Sequence, residues 1–161
     1  SSTSSAYVGW DRTGKVVTIR LYGFKPVPAA RGTSPRQLIR RFRNSIINRY
    51  GAQFPVPHFS DRDPLCLTVV VYIRRPNDHF IGNNRDNDIK AEKDTCLVTG
   101  PAVEHFMNFV KIALTGIMYD NTAVIQRYVG EKRWCDDAKS KGHTMFSCTR
   151  LNFFDDNRPV F

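Results

Sequence analysis

The nine-residue run Leu65–Ile73, with the sequence LCLTVVVYI, constrains the fold more than any other part of the chain. It carries no charge and is rich in β-branched and aromatic residues, which is typical of a strand inside a covered sheet. The run is also far shorter than the roughly 18 apolar residues that can span a bilayer. It therefore predicts a buried central strand of a small folded domain, and we expect the protein to be soluble.

Two amphipathic helices are predicted on either side of this strand. Ser34, Pro35 and Gln37 form an N-terminal capping pattern, and Gly51 stands where the first helix is expected to end. The second helix follows Pro101. Apolar residues recur at three- and four-residue spacing in both helices: Leu38, Ile39, Phe42, Ile46 and Tyr50 in the first, and Val103, Phe106, Met107, Val110, Leu114 and Ile117 in the second.

Three further segments complete the predicted order β-α-β-loop-α-β-β. Residues 16–23 predict a strand, and residues 123–134 and 144–153 predict two strands that pair antiparallel with each other. This order predicts a single α/β (α+β) domain over residues 1–161, with a small mixed sheet and two principal helices. We expect residues 1–12 to be a flexible N-terminal segment and residues 75–100 to be a long polar loop.

The charge balance indicates an anionic partner. The chain has 24 Lys and Arg against 15 Asp and Glu, which gives a formal net charge of +9. Such an excess attracts polyanions, of which nucleic acid is the commonest, although it also fits a solubilising surface. The candidate phosphate contacts are Arg36, Arg40, Arg43, Arg74, Arg75, Lys90, Lys93, Arg127, Lys132 and Arg133. Tyr128 and Trp134 are candidates for stacking on bases, with packing as the competing interpretation.

The four cysteines, Cys66, Cys96, Cys135 and Cys148, contain no C-x-x-C pair, which argues against a zinc ribbon or a thioredoxin-type motif. Cys135 and Cys148 flank a polar turn that could place them opposite each other in a hairpin, as a disulfide in a secreted chain. Reduced, buried thiols are the alternative for an intracellular protein. Residues 1–6 lack the features of a leader peptide. We expect a nuclear or cytoplasmic location if the protein binds DNA, and a secreted one if a leader was removed.

A longer pattern resembles the RusA-type Holliday-junction resolvases. The stretch RRPNDHF at residues 74–80 matches eukaryotic members, and residues 100–121 resemble the family's K-P-D-I-D-N-L-x-K-F-V-L-D-A-L-N-G-V-x-Y-x-D-D. The best-matching residues are Pro101, Phe109, Val110, Ala113, Leu114, Gly116 and Tyr119. The resemblance implies a small α/β domain that dimerises and cleaves four-way DNA junctions with Mg²⁺ held by clustered aspartates.

The same resemblance implies that the catalytic site of this chain is eroded. The family's first aspartate falls on Ala102 and its second on Glu104, while its asparagine and lysine fall on His105 and Asn108. With one residue deleted in this chain relative to the family, the final acidic pair falls on Asp120 and Asn121. Only Glu104 and Asp120 remain as metal ligands, and two carboxylates hold a hydrated Mg²⁺ weakly. We therefore expect no cofactor and a DNA-binding homodimer without resolvase catalysis, with Mg²⁺ bound only if catalysis is retained.

Two alternatives stay open. The first is a secreted or effector-type module on the same fold, which binds a protein partner through the loop at residues 75–100. The second is an active Mg²⁺-dependent endonuclease with a rearranged site, in which Glu104 and Asp120 are joined by an acid of the loop: Asp86, Asp88 or Asp94. No sequence feature supports a P-loop enzyme, a serine hydrolase or a zinc protease.

Overall fold

A computed structural model describes residues 6–10, 16–22, 34–50, 57–93, 101–135 and 141–151. Cys96 and Asp94 lie outside these ranges. The described chain forms five strands and two helices: β1 (Ala6–Trp10), β2 (Val16–Tyr22), α1 (Pro35–Tyr50), β3 (Leu65–Ile73), α2 (Val103–Leu114), β4 (Ile125–Trp134) and β5 (His143–Arg150). The predicted α+β class with a mixed sheet and two helices is confirmed.

The sheet has the strand order β1-β2-β5-β3-β4, in which only β3 and β4 are parallel. Two sequence predictions are corrected here. Residues 6–10, expected within a flexible segment, form the edge strand β1, which pairs with β2. Strand β5 does not pair with β4, because β3 lies between them and pairs with both.

Helices α1 and α2 pack side by side on one face of the sheet. Phe42 of α1 contacts Phe109 of α2 edge-on and stacks on Phe146 of β5, with ring centroids 5.4 Å apart in both pairs. The core beneath the helices is formed by buried apolar side chains such as Ile19, Leu67 and Leu114, and by Tyr119, whose hydroxyl donates to the Lys111 carbonyl (2.8 Å). The spacing of apolar residues in both helices thus predicted their buried faces correctly.

The start of α1 shows the predicted capping box. The backbone N–H of Gln37 donates to the Ser34 hydroxyl (3.1 Å), and the backbone N–H of Ser34 donates to the Gln37 side chain (3.2 Å). These reciprocal bonds satisfy donors that a helix start otherwise leaves without partners.

Helix α2 approaches β4 unusually closely at Gly130. A methyl group at Gly130 would overlap the Sδ and Cγ atoms of Met107, and the Tyr128 hydroxyl donates to the Met107 carbonyl. The amine of Lys132 donates to the carbonyl of Pro101, just before α2 (3.1 Å). Strand β4 therefore runs back along α2, from its end to its start.

No helix in the described ranges covers the second face of the sheet. This open face is formed by the alternate strand residues, including Arg20, Tyr72, Val129 and Met145, which are half-buried or exposed. The described helices are also too short or too polar for any of them to cross a membrane.

Candidate nucleic-acid interface

The two carboxylates proposed as a remnant metal site lie apart. Glu104 is exposed in the first turn of α2, whereas Asp120 is exposed beyond its last turn. Twelve residues of α-helix span about 18 Å. Because β4 returns along α2 from the Asp120 end to Pro101, Glu104 and Asp120 lie at opposite ends of the helix. They do not form one metal site in this structure.

Of the other positions mapped from the resolvase motif, Asn121 has a local structural role, and Ala102, His105 and Asn108 are exposed. The Asn121 side chain accepts a hydrogen bond from the backbone N–H of Ala123 (2.9 Å) and so caps the short 3-10 turn Thr122–Val124. Ala102 precedes α2 without making a side-chain cap, and His105 and Asn108 are exposed on the outer side of the helix. Across the described ranges, no group of three or more His, Cys, Asp or Glu residues could hold a metal ion.

The predicted hairpin that would place Cys135 opposite Cys148 is not formed, so this prediction is wrong. Cys148 lies in β5 opposite Leu67, near the start of β3, whereas the backbone N–H of Cys135 donates to the Ile73 carbonyl at the other end of β3. The strand that separates β4 from β5 thus also separates the two thiols. Cys148 is fully enclosed, and burial raises the pKa of its thiol to about 12, which makes it a poor nucleophile.

Arg75, a predicted phosphate contact, is instead buried, with 5% of its surface exposed. Its guanidinium donates to the carbonyls of Cys135 (3.1 Å) and Lys93 (2.8 Å) and lies 3.3 Å from Nδ1 of His79. It also lies over the ring of Trp134, with 5.8 Å between Cζ and the ring centroid. Arg75 therefore ties the polar loop to the end of β4 and does not face a ligand.

Arg43 and Lys132 are half-buried, and both donate to backbone carbonyls of the domain. Arg43 donates to the carbonyls of Ala113 (3.0 Å) and Thr115 at the end of α2, where the helix dipole favours a cation. Lys132 bonds Pro101 at the start of the same helix. Arg133 remains exposed but is paired with Glu131 through two hydrogen bonds of 2.7 and 2.9 Å.

The two aromatic residues considered for base stacking are also packed. The hydroxyl of Tyr128 donates to the Met107 carbonyl, and the amine of Lys111 lies over the Tyr128 ring, 5.9 Å from its centroid. Trp134 makes an edge-on contact with His79, with ring centroids 4.7 Å apart. The packing interpretation is therefore confirmed for both rings.

The cations of the polar loop are offset by acids. Residues 74–93 contain five basic and four acidic residues, and they form short 3-10 turns joined by a bridge between Phe80 and Ile89. Arg74 is exposed, Lys90 and Lys93 are half-buried, and Arg127 is exposed on β4, away from this loop. These cations are dispersed and do not form one continuous basic surface.

The outer face of α1 is different, because the helix contains five arginines and no acidic residue. Arg36, Arg40 and Arg41 are all exposed. Three amide residues on the same side of the helix, Gln37, Asn44 and Asn48, are exposed as well. We call these six residues the α1 basic face.

Arg41 was absent from the predicted contacts, whereas Arg43 was included. Helical periodicity could have distinguished the exposed Arg41 from the half-buried Arg43, because Arg43 directly borders the apolar stripe of Leu38, Phe42 and Ile46.

Comparison of the chain with protein-family models and with curated proteins found no match. The assignment of function therefore rests on the residues and their arrangement.

A cleft of about 340 Å³ opens at the amino ends of β3 and β4. Its polar walls include Asp61, Asp63 and Asn121. Asp63 is already engaged, since it accepts a hydrogen bond from the Ser60 backbone (2.9 Å) and pairs with Arg150 (3.4 Å). Arg62 also lines the cleft, so its two aspartates leave it little net charge, in contrast to the cationic α1 basic face.

Proposed function

We propose that the protein is a nucleic-acid-binding domain on a RusA-like fold, without resolvase catalysis. The observation that carries this proposal is the α1 basic face, with three exposed arginines, three exposed amides and no acid in the helix. Arginine and amide side chains are donors to phosphate oxygens, and a surface without carboxylates does not repel them.

Binding through this face is expected to follow backbone charge and not base sequence. Phosphate contacts position a protein on DNA and release condensed counterions, which makes affinity fall steeply with salt. The resemblance to junction resolvases makes branched DNA the preferred substrate class within this proposal, bound by a homodimer.

The absence of cleavage is supported by the placement of the remaining carboxylates. Resolvase-type hydrolysis needs acidic ligands gathered around Mg²⁺ beside the phosphate. Glu104 and Asp120 lie at opposite ends of α2, and alanine stands at the first aspartate position, Ala102. A single exposed carboxylate has no second oxygen donor from this motif with which to hold the ion.

The test is a gel-shift assay with a labelled four-way junction and a matched duplex, at low and moderate salt, with and without Mg²⁺ or Mn²⁺. We expect retention of the junction that weakens with salt, and no nicking. Symmetric, metal-dependent nicking that is lost in Glu104→Gln would contradict the inactive assignment and support the rearranged nuclease. No retention of either DNA at low salt would contradict nucleic-acid binding and favour the protein-binding alternative.

A further inference from the structure

Four side chains form a row across the open face of the sheet. Tyr22 of β2 lies opposite His143 of β5, His143 lies opposite Tyr72 of β3, and Tyr72 lies opposite Arg133 of β4. The rings of Tyr72 and His143 are stacked, with centroids 4.2 Å apart and planes inclined by 19°. Tyr22 continues the row at 5.3 Å and 40° from His143. We call this row the aromatic stack.

At the other end of the aromatic stack, Arg133 lies beside Tyr72. Arg133 is bonded to Glu131, and the carboxylate of Glu131 and the hydroxyl of Tyr72 both raise the pKa of its guanidinium. Tyr72 and Arg133 lie on β3 and β4, which are paired along their full length.

The Tyr22 end of the stack is open. Tyr22 has 41% of its surface exposed, the most of any of the stacked rings. The pairing of β1 with β2 begins at Ala6 and Leu21, so no described residue of β1 stands opposite Tyr22. The exposed part of the Tyr22 ring is accessible to a further planar group.

Within the stack, His143 acts as an apolar spacer. Both of its ring nitrogens are shielded from solvent and have no hydrogen-bond partner among the described residues. The imidazole thus contributes its ring faces, and its nitrogens make no polar contact. Because its neighbours hold it in place, adding another ring at Tyr22 requires little further ordering of side chains.

Charge around the open end favours an anionic ligand. Arg20 lies on the same face two residues before Tyr22, and Lys141 is exposed two residues before His143. Among the described strand residues of this face, Glu131 is the one carboxylate, and it is paired with Arg133. A ligand that combines a planar ring with negative charge is complementary to this surface.

We propose that the Tyr22 end of the aromatic stack binds an unpaired nucleobase of a single strand, with Arg20 near the adjoining phosphate. This inference rests on the proposed nucleic-acid function and adds a second contact on the opposite face of the domain from the α1 basic face. The base must be unpaired, because bases inside a duplex already stack on each other and expose only their edges. Stacking on an aromatic ring tolerates any base.

The test compares binding of a fluorescein-labelled 12-nucleotide single strand and a matched duplex by anisotropy. We expect Tyr22→Ala to weaken binding of the single strand roughly tenfold or more, because one base–aromatic contact is lost. Tyr22→Phe keeps the ring face and should retain wild-type affinity. Val129→Ala, at another exposed apolar residue of the same face, is the matched control and should change nothing.

The outcomes separate this inference from the proposed function. Duplex binding should be unaffected by Tyr22→Ala, since the α1 basic face is intact. If the wild type binds duplex and Tyr22→Ala leaves single-strand affinity unchanged, the stacking site is refuted and the proposed function stands. If the wild type binds neither nucleic acid, both fail. A far-ultraviolet circular dichroism spectrum identical to that of the wild type would show that Tyr22→Ala is folded.

Discussion

Nη1 of Arg43 lies 3.0 Å from the carbonyl oxygen of Ala113, and this hydrogen bond joins the middle of α1 to the last turn of α2. The same group donates to the Thr115 carbonyl. The last carbonyls of a helix have no partner within the helix, so Arg43 supplies both hydrogen bonds and compensating charge. One arginine of α1 thus stabilises the helix layer, while its neighbours remain available on the outer face.

Replacing Arg43 should therefore affect folding and not binding. We expect Arg43→Ala to lower the free energy of unfolding by about 1.5–3 kcal/mol, the range for hydrogen bonds made by charged groups. Arg40 is exposed on the outer face of the same helix, so Arg40→Ala should change the free energy of unfolding by less than about 0.5 kcal/mol. Urea denaturation of both variants is the measurement. Equal stability of the two variants would show that the Arg43 contacts are not formed.

Arg75 and Arg74 provide a second matched pair, because adjacent arginines have opposite surroundings. Arg75 is buried and bonded to Cys135 and Lys93, whereas Arg74 is exposed. We expect Arg75→Lys to lower the free energy of unfolding by about 2–4 kcal/mol, since an ammonium cannot reproduce the planar donor geometry. Arg74→Lys should be neutral within about 0.5 kcal/mol. Thermal melts compare the two, and a neutral Arg75→Lys variant would count against the buried role.

Gly130 tests the close packing of α2 on β4. The added methyl of Gly130→Ala would overlap Met107, so we expect a loss of about 1–3 kcal/mol in the free energy of unfolding. In the double variant Gly130→Ala/Met107→Ala, the shortened side chain no longer overlaps the added methyl group. Its loss in the free energy of unfolding should therefore be smaller than the sum of the two single losses. Chemical denaturation of the two single variants and the double variant measures the coupling. Strictly additive losses would refute the predicted contact.

The lowered pKa values of His79 and His143 determine how the free energy of unfolding should depend on pH. Burial lowers the pKa of His79 below 6.5, helped by Arg75, Lys93 and Lys90 and opposed by Asp78. Burial, followed by the charge of Arg20, also lowers the pKa of His143. As pH falls below 6.5, the unfolded chain binds protons that the folded chain does not yet bind. The free energy of unfolding is therefore highest above that value and decreases below it.

His143→Phe separates the contribution of one histidine from the other. The variant removes an imidazole whose nitrogens lack partners, so we expect it to be more stable by about 1 kcal/mol at neutral pH. Its stability should also fall less between about pH 7.5 and about pH 5.5. The exposed His105→Gln is the control for losing a histidine. Denaturation curves at both pH values would contradict the account if His143→Phe kept the full wild-type loss.

Local patterns in the sequence predicted the helices, the capping box and the internal strand, because each depends on neighbouring residues. The pairing of the last two strands was wrong because β3 is inserted between β4 and β5, and a polar turn does not reveal such an insertion. The Cys135–Cys148 pairing failed for the same reason. Strand β1 was missed because five residues, Ala6–Trp10, give too little alternation to stand out.

The candidate site was predicted in part. Exposed Arg36 and Arg40 were identified from helical spacing, but the sequence could not show that Arg75 would be buried. Its partners are carbonyls of Cys135 and Lys93, which lie 60 and 18 residues away and have no side-chain signature. The aromatic stack was not predicted at all, since it needs the cross-strand register of β2, β5 and β3.

The central claim, that the α1 basic face binds nucleic acid, is tested most directly by the salt dependence of duplex affinity in two double variants. Arg36→Gln/Arg40→Gln removes two charges from the face, and Arg62→Gln/Arg127→Gln removes two exposed charges elsewhere. Each lost phosphate contact lowers the slope of log K against log salt by about one. We predict a slope smaller by about two for the first variant and an unchanged slope for the second. Equal slopes in the two variants would contradict the claim.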